Sequence, residues 1–169
     1  STRWADKDAM PANRLAVGDK YLAKGTMFVA KFKEDGTGQW LELSMNNPIV
    51  AANPDFSFTS DADIAVFTRL AADAVGATRM DRPEWGGVNP RDGEVYFTLT
   101  NNSNRSLDGE MGADAANPRV YSDMKGSRKN SGNVNGHIMR MAQDRAHDTA
   151  FRWDIYLFAS EAGADKGAI

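Results

Sequence analysis

The chain of 169 residues contains no cysteine, which excludes disulfide bonds, thiolate zinc sites and cysteine nucleophiles within it. It has only two histidines, and the spacing of His137 and His147 matches no HExxH-type zinc motif. We expect hydrogen-bonded structural roles for both. The motifs of serine hydrolases, dinucleotide-binding folds and P-loop nucleotide-binding proteins are also missing. The common nucleophile and nucleotide chemistries therefore do not apply here.

Long apolar runs and basic runs are absent as well. No apolar stretch approaches the roughly 20 residues of a membrane-spanning helix. The net charge is −3, and the basic cluster at 125–129 is interrupted by glycine and serine, which predicts a solvated loop. The first residues form neither an initiator methionine nor a signal peptide. We therefore expect a piece of a longer protein with no membrane span and no nucleic-acid partner.

The composition is that of a folded domain. Charged residues make up 25% of the chain and hydrophobic residues 41%, which is ordinary for a globular protein and unlike a disordered one. A chain of this length can bury a sizeable core. We predict a single partial domain over residues 1–169.

Period-two alternation on either side of polar turns predicts three β-hairpins. Asp35-Gly36 supplies a positive φ for the first turn, and Asn89 to Gly93 forms the second. The predicted strand pairs are 25–32 with 39–43, 85–89 with 94–100, and 136–141 with 151–158. Repeated antiparallel hairpins favour a mainly β architecture, either a propeller or a sandwich.

One helix and one long loop interrupt this pattern. Apolar residues recur at three- and four-residue spacing over 61–75, which predicts an α-helix with Ser60 as its N-cap and Gly76 as its stop. Residues 101–135 are rich in Asn, Ser, Gly and Asp, with few apolar residues. They are predicted to form a long loop, and such loops are usually functional or mobile.

The densest group of chemically useful side chains is the segment from Asp81 to Glu84. Pro83 is expected to hold Arg82 in an extended conformation, so that Arg82 and Glu84 share one face of a strand. An arginine fork matches phosphate oxygens, and a glutamate is a hard oxygen ligand for a metal ion. The alternative is a surface ion pair of Arg82 with Glu84 or Asp81, worth roughly 0–1 kcal/mol.

The string MDRPEWGGVNPRDGEVYFTLTNN at 80–102 resembles the signature segment of the PhoX family of alkaline phosphatases. The resemblance continues upstream through 69–79 and downstream through 135–140 and 151–154, and in total covers about residues 21–160. It implies a β-propeller, of which this chain would be a C-terminal part. It also implies phosphomonoester hydrolysis at a cluster of Ca²⁺ and Fe³⁺ ions, in a protein exported to the periplasm or the extracellular space.

By the same resemblance, Arg82 is the arginine that contacts substrate phosphate and Glu84 is a metal ligand. Family members are several times longer and take further ligands, including a cysteine thiolate, from segments outside the matching region. The chain alone is therefore expected to be inactive, to need the remaining segments of the parent protein, and to self-associate through exposed strand edges.

Two other functions remain open. A calcium-dependent, lactonase-like propeller hydrolase would share the fold, although Arg82 suits its neutral substrates less well. A non-catalytic propeller module for binding or scaffolding would use Arg82 and Glu84 only as an ion pair, and would bind neither metal nor phosphate.

Overall fold

The computed structural model describes residues 25–144 and 149–160, which form a mainly β protein with short helices. The described elements are β1 Met27–Phe32, β2 Thr37–Leu43, α1 Pro48–Ala51, α2 Asp61–Val66, α3 Thr68–Ala74, β3 Pro83–Val88, β4 Val95–Leu99, β5 Tyr121–Lys125, β6 Arg128–Gly132, β7 His137–Ala142 and β8 Ala150–Phe158. The mainly β prediction is confirmed, whereas the propeller and the single partial domain stay predictions. No helix among the described residues is long and apolar enough to cross a membrane.

One compact unit comprises residues 25–29 and 41–76 of the described chain. Its buried core brings together side chains from β2 and the three helices with one from the segment before α2, namely Leu43, Val50, Phe58, Ile64 and Ala71. Ser60 caps α2 by accepting a hydrogen bond of 3.2 Å from the Asp63 amide, as predicted. The core of this unit is therefore built mainly from helices.

The single helix predicted over 61–75 is divided at Phe67. Phe67 has φ −104° and ψ 37°, outside the helical region, and separates α2 from α3. The hydroxyl of Thr68 donates to the carbonyl oxygens of Ile64 and Ala65, at 3.2 and 2.7 Å. Such side-chain bonds compete with backbone amides for helical carbonyls and often bend helices. Gly76, with φ 70°, follows α3.

A second compact unit comprises residues 30–40 and 77–160, apart from 145–148. Its buried core consists of Phe32, Leu99, Ala116, Met139, Met141 and Phe151. The strands form a six-stranded sheet in the order β1-β2-β8-β7-β4-β3, with a separate two-stranded sheet of β5 and β6. Strand β3 therefore lies at an edge of the large sheet.

The three predicted hairpins are present. Strand β1 neighbours β2, β3 pairs with β4, and β7 pairs with β8. Gly36 and Gly93 have φ of 78° and 80° in the first two turns. Residues other than glycine rarely adopt such positive φ values. The predicted third turn contains residues 145–148, among them His147, and these four residues lie outside the described part of the chain.

The prediction of one long loop over 101–135 is wrong in part. Strands β5 and β6 pair in register from Tyr121 with Gly132 to Lys125 with Arg128. Their side chains are mostly exposed or half-buried and polar, so the segment has no alternating apolar face that would mark it as strand. The basic residues of 125–129 lie at the exposed tip of this hairpin.

Candidate functional site

Arg82 and Glu84 lie together at the start of edge strand β3. Nη2 of Arg82 is 3.8 Å from Oε1 of Glu84, and the two side chains are 58% and 52% exposed. Nη1 of Arg82 donates a hydrogen bond of 3.3 Å to the carbonyl oxygen of Asn101. The two predicted site residues therefore form a loose, half-exposed ion pair.

The backbone of Arg82 is not extended, so the conformational effect expected of Pro83 is wrong. Arg82 has φ 42°, in the left-handed region. Its amide donates to the carbonyl oxygen of Met80 at 3.1 Å, and its own carbonyl accepts from the amide of Thr100 at 3.2 Å. Hydrogen bonds on both sides thus hold a turn that the local preference of a residue before proline opposes.

Glu84 occupies a β-bulge. Pro83 pairs with Leu99 and Trp85 pairs with Thr98, so Glu84 is the additional residue on the β3 side. Bulges re-aim side chains and are over-represented beside active sites. The juxtaposition of Arg82 and Glu84 thus depends on a turn and a bulge, and not on the regular strand that the sequence predicted.

Asp81, the neighbour of Arg82, is completely buried. Its Oδ1 accepts hydrogen bonds from Nδ2 of Asn102 at 2.7 Å and from Nε of Arg105 at 2.8 Å. Its Oδ2 accepts from Nδ2 of Asn133 at 2.9 Å, and its backbone amide donates to Oδ1 of Asn117 at 2.9 Å. A buried carboxylate is tolerated only with such pairing.

Arg105 is buried beside Asp81 and is itself fully engaged. Nη1 donates to the carbonyl oxygen of Gly112 at 2.7 Å, and Nη2 donates to that of Arg79 at 2.8 Å. The guanidinium therefore ties the segment before β3 to the loop before β5. The surface pairing of Asp81 with Arg82 that the sequence allowed is replaced by this buried pair.

His137 extends the polar cluster into the sheet. Its Nδ1 lies 3.0 Å from Nδ2 of Asn133, and its Nε2 lies 2.8 Å from the carbonyl oxygen of Ala116. A neutral ring with hydrogen on Nε2 satisfies both contacts, since Asn133 donates to one nitrogen and the other donates to the carbonyl. His137 therefore has the hydrogen-bonded structural position expected from the sequence.

Burial lowers the pKa of His137 below its usual value of 6.5, against the opposing effects of the Ala116 carbonyl and Asp81. The unfolded chain then binds more protons than the folded one at acidic pH. We expect the free energy of unfolding to fall as the pH drops below about 6.5, and this component to be missing in His137→Gln. Urea unfolding of both proteins at pH 5 to 7 measures the difference, and parallel curves would contradict it.

The metal-binding capacity of the described chain is small. Glu84 is a half-exposed carboxylate, a suitable hard donor for Ca²⁺ or Fe³⁺. However, residues 25–144 and 149–160 contain no group of three or more His, Cys, Asp or Glu side chains that could hold a metal ion. The residues present fit one ligand position and do not form a complete site.

The buried partners of Asp81 were not identified from the sequence. Their one visible signal is the concentration of Asn and Asp in the segment 101–135, which has too few apolar residues to form a hydrophobic core of its own. Such a segment becomes ordered only if its polar groups are satisfied internally. Arg105, Asn117 and Asn133 do this around Asp81.

Comparisons with known proteins match most of this chain to PhoX alkaline phosphatases. A family model described as alkaline phosphatase PhoX matches residues 3–168. The structure is similar to that of Pseudomonas fluorescens PhoX in complex with vanadate, a transition state analogue, with a TM-score of 0.67 and 36% sequence identity. No curated protein matches the chain.

The match to the solved PhoX covers 86% of this chain and 24% of the other, so this chain spans about a quarter of the length of its structural relative. The family model covers nearly all of the sequence, including the Arg82 to Glu84 segment. The chain belongs to the PhoX alkaline phosphatase family.

Proposed function

We propose that the chain is part of a metal-dependent phosphatase that hydrolyses phosphate monoesters, with Arg82 binding the phosphate and Glu84 ligating a metal ion. Family membership supports the reaction class. The observation that carries the assignment is the exposed Arg82 and Glu84 pair, with 3.8 Å between guanidinium and carboxylate. From this position, Arg82 could bind a phosphate oxygen while Glu84 binds a cation beside it.

The guanidinium of Arg82 keeps hydrogen-bonding capacity for an anion. Its contact with Glu84 at 3.8 Å is longer than a hydrogen bond, and the bond to Asn101 uses one of five N–H groups. Arginine donates two parallel charge-assisted hydrogen bonds to phosphate oxygens. Arg82 would therefore orient the ester and stabilise the charge that develops on its phosphoryl oxygens.

The metal ions of this proposal are Ca²⁺ and Fe³⁺. Bound cations would supply Lewis-acid stabilisation of phosphoryl charge. Glu84 would contribute one ligand, and the remaining segments of the parent protein would contribute the others. For that reason the chain alone is expected to lack activity, while the complete propeller is expected to act in the periplasm or outside the cell.

Thermal unfolding with Ca²⁺ and phosphate, added separately and together, tests this assignment. Phosphate with Ca²⁺ should stabilise the wild type, by about 2.7 kcal/mol at a hundredfold excess over Kd, since only the folded chain binds. Arg82→Ala should reduce the phosphate effect to about half or less, and Glu84→Gln should remove the Ca²⁺ effect. Arg91→Ala and Glu34→Gln, at exposed positions of the same charge, are the controls.

Equal stabilisation of all five proteins would contradict the roles of Arg82 and Glu84. No stabilisation of any of them would mean either that segments outside this chain complete the site, or that the protein is the non-catalytic binding or scaffolding module in which the two side chains only pair with each other. Phosphatase assays of the same substitutions in the parent protein separate these two outcomes. Binding of Ca²⁺ without any effect of phosphate would favour the lactonase-like hydrolase.

We also propose that the chain self-associates through β3. All six residues of this edge strand are exposed, including Trp85 at 79% and Val88 at 63%. An exposed apolar edge is a template for pairing with another strand, and a lysine there opposes such pairing.

Val88→Lys is therefore expected to shift the chain toward monomer in sedimentation velocity experiments. Val66→Lys, at a valine that is 74% exposed on α2, is the matched control and should leave the distribution unchanged. Equal distributions for wild type and Val88→Lys would exclude the β3 edge as the contact.

A further inference from the structure

Arg82 is in an unfavourable backbone conformation at the position where the proposed function needs it. With φ 42°, it is the only residue other than glycine with a positive φ in the part of the chain that the structure describes. L-residues avoid this region because Cβ approaches the backbone carbonyl, and the following proline restricts Arg82 further. Such strain persists only where the surrounding structure enforces it, and it clusters at functional sites.

The surroundings that enforce this conformation converge on Asp81. Three side chains bind its buried carboxylate and a fourth binds its backbone amide. Hydrogen bonds therefore fix both the side chain and the backbone of the residue before Arg82. After Arg82 the chain enters β3. The direction of the backbone on the N-terminal side of Arg82 is thereby set by a buried, charge-assisted cluster.

The same cluster also fixes the position of the segment 100–102, which Arg82 contacts. Asn102 donates to Asp81 and exchanges backbone hydrogen bonds of 2.8 and 3.0 Å with Asn133. Its neighbours Thr100 and Asn101 bind the carbonyl and the side chain of Arg82. The positions of the backbone and the guanidinium of Arg82 thus both depend on the segment 100–102, which is bound to Asp81.

We propose that Asp81, held by Arg105 and Asn133, is a positioning residue that keeps Arg82 in its left-handed conformation and so aims its guanidinium at phosphate. This inference rests on the proposed function for its last step. Its first step, the conformation of Arg82, is independent of any ligand. A purely structural role of the cluster would affect stability without a specific effect on Arg82.

Two substitutions disturb Asp81 without removing a hydrogen bond of Arg82. Arg105→Lys keeps the positive charge but loses the branched guanidinium that binds several acceptors. Asn133→Ser replaces the amide that donates to Oδ2 of Asp81 with a shorter hydroxyl group. Phe151→Leu is the control, because it loosens a buried core side chain of the same unit that does not contact the cluster through a hydrogen bond. Each variant is first checked for folding by its amide NMR spectrum.

The ligand-free readout is the intraresidue NOE between the amide and Hα of Arg82, which is strong at positive φ and weak at negative φ. We expect it to weaken in Arg105→Lys and Asn133→Ser and to stay strong in Phe151→Leu. The second readout is the Kd of inorganic phosphate in the presence of Ca²⁺, which should rise about tenfold in the two cluster variants, the loss of one well-oriented hydrogen bond.

An unchanged NOE in a folded cluster variant would overturn the proposal, as would an equal change in Phe151→Leu. If one cluster variant fails to fold, the other gives the same comparison. If the wild type does not bind phosphate, the chain alone does not hold a phosphate site, and the NOE still decides whether Asp81 holds Arg82. A changed NOE with unchanged phosphate affinity would reject the link to binding.

Discussion

Gly136→Ala is expected to destabilise the fold severely. Gly136 has φ 76°, and a Cβ atom there would lie 2.1 Å from the carbonyl oxygen of Leu99 and 3.1 Å from the backbone of Thr100. The backbone cannot move away easily, because the Gly136 amide donates to Asn133 and its carbonyl accepts from Ala159. Overlap with a main-chain oxygen adds to the cost of the left-handed conformation, and we expect a loss above about 4 kcal/mol.

Gly126→Ala separates the cost of the left-handed conformation from the cost of the steric overlap. Gly126 has φ 64° at the tip of the β5–β6 hairpin, and no atom lies within 4 Å of the Cβ position. Only the conformational cost applies, roughly 1–2 kcal/mol. Urea unfolding followed by circular dichroism gives both values. Similar losses for the two variants would contradict the close approach of the Leu99 carbonyl to Gly136.

Arg105→Met is expected to lower the free energy of unfolding by about 3–5 kcal/mol, because it leaves a buried carboxylate without its cation. Arg105 and Asp81 are 2.8 Å apart, and both side chains are inaccessible to solvent. The carbonyl oxygen of Gly112 would lose its donor, and that of Arg79 would keep only the bond from Asn117. Chemical denaturation of the variant and the wild type measures the difference.

Arg152→Met provides the matched control, since Arg152 and Asp144 are 2.9 Å apart with side chains 66% and 68% exposed. Water and dissolved salt screen this pair, so its loss should cost about 1 kcal/mol or less. The ion-pair distances are nearly equal and the burial differs completely. If Arg105→Met were as mild as Arg152→Met, the Asp81 environment would have to be open to solvent.

The hairpins were predictable because their signals are local. Alternation with period two and turns such as Asp35-Gly36 involve neighbouring residues, and they gave the correct pairing of β3 with β4 and of β7 with β8. The helical periodicity over 61–75 was also correct, but the helix is broken at Phe67, beside the Thr68 hydroxyl that bonds to two helical carbonyls. A pattern of apolar residues does not contain that information.

The order within 101–135 could not be predicted, because it comes from contacts between residues far apart in sequence. Asp81 binds Asn102 and Asn133, which lie 21 and 52 positions later. A buried polar cluster has the composition of a solvated loop, and only the three-dimensional partners distinguish the two. The same long-range bonds override the preference of Arg82 for an extended conformation.

Of the candidate site, the sequence identified the pair Arg82 and Glu84, and the structure places their charged groups 3.8 Å apart. Their roles toward phosphate and metal stay predictions. The bulge that helps to bring them together depends on pairing with β4, and the turn depends on hydrogen bonds to Met80 and Thr100, so neither follows from the local sequence. The sequence predicts Asp81 as a member of this group of side chains or as a surface partner of Arg82, whereas it is buried.

Calorimetric titration of inorganic phosphate into the chain in the presence of Ca²⁺ tests the central claim most directly. If Arg82 binds phosphate, Arg82→Ala should weaken the affinity by about 10- to 100-fold, the value of a charge-assisted hydrogen bond or two, while Arg91→Ala leaves it unchanged. Equal affinities for the wild type and Arg82→Ala would contradict the assignment of Arg82 as the phosphate-binding residue of this PhoX chain.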